Sequence, residues 1–306
     1  MEFPPVLVVM PLYNAFPYVR SAIESILSQT YPNFHLLVIN DGSTDGSEQV
    51  TALFNDSRVI LWHQENQGPG AAMNRATQYA LDQKIPYLAR MDSDDISLPN
   101  RLDTQILLLE KFPAAAACSA NCYYIDAESE RVIGSSTVSA SPSLIHWEIV
   151  HGLRGLIQPA AIFRTGALAA IGGYRPQFKL AEEVDLFLRL ADQNELRNCG
   201  EFLCNIRIRP GSLSLTNVHQ NNLYMFYALD CAKNRHKGRS EKDFDSFLKS
   251  MSWKTKFLIW REGYLLNLWR THMNTGFLRY LLLAALLDPR RTMIRGFRKI
   301  DEGKHA

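Results

Sequence analysis

Four short, largely apolar runs, each followed by a segment of helical periodicity, constrain this chain most. They are residues 6–10, 34–39, 59–62 and 87–91. Continuous apolar runs of this length fit strands buried on both faces. Between them, residues 17–30 place Val19, Ala22, Ile23, Ile26 and Leu27 at helical spacing, with Pro17 suited to a helix start. Residues 47–54, 69–83 and 101–111 read as further helices. Strands alternating with helices imply right-handed βαβ crossovers and a mostly parallel sheet, so the expected class is α/β. Such sheets bind ligands beyond the carboxyl ends of their strands. Asn40-Asp41-Gly42-Ser43 and Asp92-Ser93-Asp94-Asp95 fall at two such ends.

After Pro99 the pattern is mixed. Residues 114–125 read as a strand with 132–136 as its partner, and 181–193 as a helix on which Asp185 and Arg189 form an i,i+4 pair. Past residue 217 the chain reads as helical and basic, with Trp253, Trp260 and Trp269 along it. The expected organisation is one domain of two halves, 1–100 and 101–217, followed by a basic helical C-terminal extension at 218–306. Of 306 residues, 46% are hydrophobic and 21% charged, which is ordinary globular material.

The formal charge of +2 hides an asymmetry: from Gln220 onward there are 17 Lys+Arg against 8 Asp+Glu, and before it 16 against 23. The longest apolar run, 277–287, is interrupted by Arg279 and falls short of the roughly 20 residues a spanning helix needs. Arg290, Arg291, Arg295, Arg298 and Lys299 follow it. The segment 277–299 could lie in an anionic membrane interface, or pack on the protein with its arginines snorkelling. Five scattered cysteines and no recognisable signal peptide suggest a reducing, cytoplasmic setting, with peripheral contact at the inner face of a membrane as one option. No nucleic-acid-binding motif is present.

Asp92-Ser93-Asp94 can turn two carboxylates toward one hard divalent cation. Mg²⁺ or Mn²⁺ prefers oxygen ligands and commonly shares them with substrate phosphates. The plainer role for such a turn is capping the next helix through Asp95 or Ser97.

A longer pattern favours the chemical reading. Val9-Met10-Pro11-Leu12-Tyr13-Asn14, Ser25-Ile26-Leu27-Ser28-Gln29-Thr30-Tyr31-Pro32 and Val38-Ile39-Asn40-Asp41-Gly42-Ser43-Thr44-Asp45 come first. Asn66-Gln67-Gly68, Met73-Asn74-Arg75, Met91-Asp92-Ser93-Asp94-Asp95, Ile171-Gly172-Gly173-Tyr174-Arg175 and Glu182-Glu183-Val184-Asp185 follow, and the pattern ends near Arg207-Ile208-Arg209. In this order the segments resemble the family-two glycosyltransferases over about the first two-thirds of the chain. The resemblance implies a GT-A fold and inverting transfer of a sugar from a nucleoside-diphosphate donor, UDP-linked, to a hydroxyl of a glycan or lipid-linked saccharide in polysaccharide biosynthesis.

It also implies roles, with nucleotide-sugar binding in the half 1–100 and acceptor binding and catalysis in the half 101–217. Pro11, Leu12, Tyr13 and Asn14 would line the nucleotide crevice with Gly68, Asn74 and Ser93, and Asp41 would accept the ring N–H of the base. Asp92 would face the ribose side, and Asp94, with Asp92, would hold Mn²⁺ or Mg²⁺. Glu183 would deprotonate the acceptor with Glu182 in support. The commoner family pair there is Glu-Asp, so the arm here is one methylene longer. Two first-turn glutamates also stabilise a helix N-terminus without chemistry. Gln158 and Arg209 stand where the family often has His, and Met73 where many members carry Arg. A guanidinium can clamp a diphosphate but cannot ligate a cation, which implies weaker metal dependence. The rival readings are a non-catalytic nucleotide-sugar-binding or scaffolding relative, and a nucleotidyltransferase.

Overall fold

The computed structural model describes residues 3–128, 130–153, 155–209, 218–257 and 259. Two compact units make up the chain, Met1–Ser212 with Tyr224–Lys242, and Leu213–Leu223 with Asp243–Ala306.

The first unit opens with β1 (Val6–Leu12), α1 (Val19–Leu27), β2 (Phe34–Asn40), α2 (Ser47–Ala52), β3 (Val59–His63), α3 (Pro69–Asp82) and β4 (Tyr87–Arg90). All four strands are parallel, in the order β3-β2-β1-β4, with Val8 opposite both Leu36 and Ala89. Every residue of β1 except Pro11 is buried, as its unbroken apolar run requires, whereas β3 is half-buried because it lies at the sheet edge. The stripe on α1 covers the sheet through Val19, Ala22, Ile23 and Ile26, all fully buried. Burying each of the larger side chains contributes about 1.5–3 kcal/mol. The expected start at Pro17 shifts: the Phe16–Pro17 peptide is cis, and the helix begins at Val19.

Next come β5 (Ile96–Ser97), α4 (Arg101–Lys111), β6 (Ala115–Asp126), β7 (Val132–Ser136), α5 (Pro142–Val150), β8 (Ile162–Arg164), α6 (Thr165–Ala170), α7 (Glu182–Ala191) and β9 (Glu195–Ile208). α8 (Val218–His236) follows, and α9 (Phe244–Ser250) belongs to the second unit, capped by the Asp243 side chain accepting from Ser246 N at 2.8 Å. β8 runs antiparallel between β4 and β6; β6 pairs with β9 in parallel and with β7 antiparallel; β9 carries β5 antiparallel at its far side. The sheet is therefore parallel where the nucleotide half was expected and mixed beyond it.

β5, β8, β9, α5 and α6 were not legible as elements. β5 and β8 have two and three residues, and β9 carries Arg, Asn, Glu and Cys without alternation, because it is held by neighbours rather than by one apolar face. Buried Arg101 on α4 fixes the approach to the acidic turn, its Nη2 donating to Arg90 O at 2.6 Å and its Nε to Gln105 at 3.1 Å. Among the described residues no helix is long and apolar enough to cross a membrane.

Candidate active site

The site begins where β1 and β2 end. Asn14 takes a left-handed φ of 47° and its Oδ1 accepts Thr44 N at 2.9 Å, while Ser47 Oγ accepts Ala15 N at 3.0 Å. Together with Asp41 N donating to Leu12 O at 2.8 Å, these bonds lace the two loops into one wall. Leu12 is buried within it, Pro11 and Asn14 are half-buried, and the Tyr13 ring is 49% exposed.

Asp41 is buried and already engaged. Its Oδ1 accepts from Gln64 Nε2 at 2.7 Å and Gln67 N at 2.9 Å, and its Oδ2 from Gly68 N at 2.8 Å. A carboxylate has about four acceptor directions, so one remains for a further donor. Asp41 thus pins the entry to α3, where Gly68 adopts φ +86°. Asn74, on α3, spends both ends of its amide on Tyr174: Oδ1 accepts its N–H and Nδ2 donates to its C=O, each at 2.7 Å. A Cβ on Gly173, whose φ is +65°, would lie 2.3 Å from Asn74 Oδ1, so this bracket needs glycine. Asn74 therefore reaches the site through Tyr174. Met73 is buried in the core of the same helix.

The acidic turn follows β4. Asp92 is half-buried and accepts from Arg90 Nε at 3.1 Å; Ser93 is buried. Asp94 Oδ2 accepts from Arg209 Nε at 2.6 Å. Asp95 caps no helix: its Oδ1 accepts Arg207 N at 2.9 Å, and Arg207 Nε donates to Asp94 O at 2.8 Å. The end of β9, more than a hundred residues away in sequence, is thereby clamped onto the turn. The Tyr18 ring faces both arginines, 4.8 Å from Arg207 and 5.7 Å from Arg209. Burial raises the Asp94 carboxyl above its ordinary range, and the Asp92 charge adds to this against the opposing pull of Arg209.

Glu182 and Glu183 form the first turn of α7, after Ala181 in a left-handed conformation. Both retain some exposed surface yet are densely surrounded by protein. Burial, followed by the charge of Glu182, pushes Glu183 up to about 7. Burial also raises Glu182, opposed mainly by Arg90. Desolvation outweighs the stabilisation that a helix N-terminus gives to a carboxylate. A carboxylate near 7 is poised to exchange a proton at neutral pH.

Arg90 was not singled out from the sequence, and Tyr174 and Arg207 stood only within the segments that carry the family resemblance, with no role given to either. Arg90 had a signal, a charge inside the apolar run 87–91; the roles of the other two come from contacts distant in sequence, Tyr174 with Asn74 and Arg207 with the Asp94–Asp95 turn.

The residues suit a divalent ion shared with a ligand. Asp94 and Asp92 offer carboxylate oxygens, and Mg²⁺ commonly takes one or two of these plus phosphates and water. Among the described residues no group of three or more His, Cys, Asp or Glu is placed to hold a metal, and Arg209 shares Asp94.

The fold is of the GT-A type. Staphylococcus aureus TarS 1–349 in complex with UDP-GlcNAc superposes with a TM-score of 0.58 at 18% identity, covering 87% of this chain and 81% of that one. The mannosyltransferase PcManGT from Pyrobaculum calidifontis, in complex with GDP-Man and Mn²⁺, gives 0.55 at 17% identity over 98% and 81%.

The model of the Glycosyl transferase family 2 matches residues 7–170, more than half of the chain, and the protein belongs to that family. An uncharacterized glycosyltransferase of Rickettsia typhi is 27% identical over 232 residues, 72% of this chain and 69% of that protein. The UDP-Glc:alpha-D-GlcNAc-diphosphoundecaprenol beta-1,3-glucosyltransferase WfgD of Escherichia coli is 39% identical over 105 residues, 34% of this chain and 40% of its own. The family match includes Asp41, Asp92 and Asp94 and stops before Glu182, Glu183 and Arg209.

Proposed function

We propose that this glycosyltransferase moves a hexosyl or N-acetylhexosaminyl unit, with inversion, from a UDP-linked donor to a hydroxyl of a glycan or lipid-linked saccharide. The observation that carries the reading is the pairing of two carboxylate groups of different character. Asp92 and Asp94, on a turn clamped by arginines, suit a diphosphate and its cation. Glu183, raised to about 7, suits a base. TarS is seen with UDP-GlcNAc, and WfgD is named for UDP-Glc and a diphosphoundecaprenol-linked sugar, which supports both donor and acceptor classes.

In this reading Asp41 takes the base N–H on its remaining acceptor direction, and Pro11, Leu12, Tyr13, Asn14, Gly68 and Ser93 line the nucleotide wall. Asp94 and Asp92 would hold Mn²⁺ or Mg²⁺, which when bound offsets charge on the departing diphosphate. Arg209 adds a permanent positive charge beside the same turn. Glu183 removes the acceptor proton as the acceptor oxygen attacks the anomeric carbon from the side opposite the diphosphate.

A thermal-shift series with UDP-glucose, UDP-GlcNAc and GDP-mannose, each with and without Mn²⁺, tests the donor. A ligand at a hundredfold excess over Kd adds about 2.7 kcal/mol, enough to raise the melting temperature by several degrees. A UDP-sugar should do this, with turnover releasing UDP. Stabilisation by none of them would remove the donor assignment, and release of pyrophosphate would make the protein a nucleotidyltransferase.

The interfacial segment 277–299 lies outside the described residues, and its membrane role is a proposal from sequence. Truncation before Phe277 should reduce sedimentation with anionic liposomes while turnover of a soluble acceptor is largely retained. Equal sedimentation of both forms would end the membrane reading.

A further inference from the structure

The helix that carries Glu182 and Glu183 starts from a strained residue. Ala181 holds φ at 51°, a left-handed value that a residue with a Cβ keeps only where its surroundings enforce it. Many of the bonds around it are local. Arg175 donates to both oxygens of Asp185, and Arg189 donates to Asp185, Ile171 O and Gly173 O, all within 171–189. Such bonds close the segment on itself and do not fix it to the rest of the protein. Asn74 of α3 anchors it at Tyr174. Further anchors come from α8 and the residues just after it.

α8 ends in a turn through Gly238, at φ +63°, where Arg239 N donates back to Asn234 O at 2.9 Å. The turn brings Glu241 back beside Arg235. Glu241 Oε1 accepts from Arg235 Nη1 at 2.8 Å, and its Oε2 accepts from Arg175 Nη1. Arg235 Nε and His236 Nε2 meet the two oxygens of Asp192, just past the end of α7, at 2.8 and 2.6 Å. The Arg175 guanidinium lies 4.9 Å from the centre of the Phe178 ring. That ring stacks on Tyr227 of α8 with 4.9 Å between centres, and Tyr227 OH donates to Lys242 O at 2.8 Å. Glu241 thus joins the arginine that holds the start of α7 to the arginine that holds its far end.

We infer that Glu241 is a positioning residue for sugar transfer: by bridging Arg175 and Arg235 it fixes the segment 175–192 on α8, and with it the first turn of α7 that presents Glu183 to the acceptor. The inference rests on the reading of Glu183 as the base. Asp185, which Arg175 holds, lies two positions after Glu183 on the same helix, so a displaced Arg175 displaces the base with it. The Glu241 and Arg175 side chains are 24% and 21% exposed, whereas Asp185 is 1% exposed. Loss of the bridge should therefore cost less stability than loss of Asp185, because solvent screens its charges. What the bridge supplies is the placing of the base.

The test measures UDP release from UDP-glucose or UDP-GlcNAc by the full-length protein, with UDP affinity by calorimetry. Glu241→Gln keeps the shape and removes the charge that both arginines share. It should lower turnover about tenfold or more, within the hundredfold that an ångström of misplacement can cost. UDP affinity should stay within about twofold, because the nucleotide wall is built from β1, β2 and α3 and not from this segment. Glu241→Asp keeps the charge and should recover part of the turnover. Once the base is gone its placing no longer matters, so Glu241→Gln added to Glu183→Gln should cost little more than Glu183→Gln alone. Wild-type turnover in Glu241→Gln, an equal loss of UDP affinity, or losses that multiply in the double variant would each overturn the inference. Should Glu241→Gln fail to fold, Arg235→Gln, which withdraws one partner of the bridge, replaces it with the same expectations and the same overturning results. Wild-type turnover in Glu183→Gln would remove the base reading separately; the turnover of Glu241→Gln, set against its UDP affinity and the recovery in Glu241→Asp, then decides the positioning role.

Discussion

Glu183→Gln is expected to lower turnover by roughly 10²-fold or more, the scale of general-base catalysis, while UDP affinity stays within a few-fold of wild type. Glutamine keeps the shape of the side chain and removes only the proton acceptor. Glu183→Asp shortens the arm by one methylene and should retain more activity than Gln, and Glu182→Gln should cost less. The pH dependence follows from the shift. Glu183 must be ionised to act, and its carboxyl is raised to about 7, so turnover should fall by about tenfold per pH unit below that point. Because Glu182 and Glu183 interact, the midpoint observed belongs to the pair.

The same shift gives a stability check with a definite sign. The folded state binds the Glu183 proton more tightly than the unfolded chain, whose carboxyl has the ordinary value of 4.5. Stability is therefore lost as pH rises from about 4.5 through about 7. Glu183→Gln removes this loss, so the inactive variant should melt no lower than wild type at pH 8, and higher relative to wild type at pH 8 than at pH 5. Dead Glu182→Gln with active Glu183→Gln would reverse the assignment; full activity in both would place the proton acceptor elsewhere.

The largest effect on stability is expected from Asp185→Ala. Asp185 is 1% exposed and serves two arginines: Oδ2 accepts from Arg189 Nε at 2.8 Å and Arg175 Nε at 3.0 Å, and Oδ1 from Arg175 Nη2. Arg189 also donates to Ile171 O and Gly173 O, each at 2.7 Å, and Arg175 continues through Glu241 and Arg235 to Asp192. Removing one partner from a buried pair leaves uncompensated charge and costs about 3–5 kcal/mol. At about 2–4 °C per kcal/mol for domains somewhat smaller than this, the melting temperature should drop by roughly ten degrees. Arg20→Ala is the control. Its i,i+4 partner Glu24 lies at the surface with both side chains more than half exposed, and such pairs are worth less than about 1 kcal/mol. Equal, small losses in both variants would show that the Asp185 network is not what holds α7. Arg189 fixes the carbonyls just before Tyr174, so Asp185→Ala should also lower activity in the fraction that stays folded.

The sequence by itself determined the parallel half of the fold and its family. Residues 6–10, 34–39, 59–62 and 87–91 could be read as strands because burial on both faces leaves a local mark, a run without polar residues. α1, α3 and α4 could be read because a half-buried helix marks its own periodicity. The placing of Asp41 and of Asp92–Asp94 at strand ends followed from the same alternation, and the Asp185–Arg189 pair from helical spacing. Tertiary structure alone decided the rest. β9 shows no period because β6 and β5 hold it on both sides, yet its register delivers Arg207 and Arg209 to a turn that precedes them by more than a hundred residues. It likewise sets Cys122 opposite Cys204, two thiols that look unrelated in the chain. Asn74 changes meaning in the same way: beside a nucleotide motif it reads as a ligand contact, and in the fold both ends of its amide belong to Tyr174. Local pattern records how deeply a segment is buried. Which charged groups meet depends on sheet order and register, as Arg207 and Arg209 at the end of β9 meet the Asp94–Asp95 turn after β4.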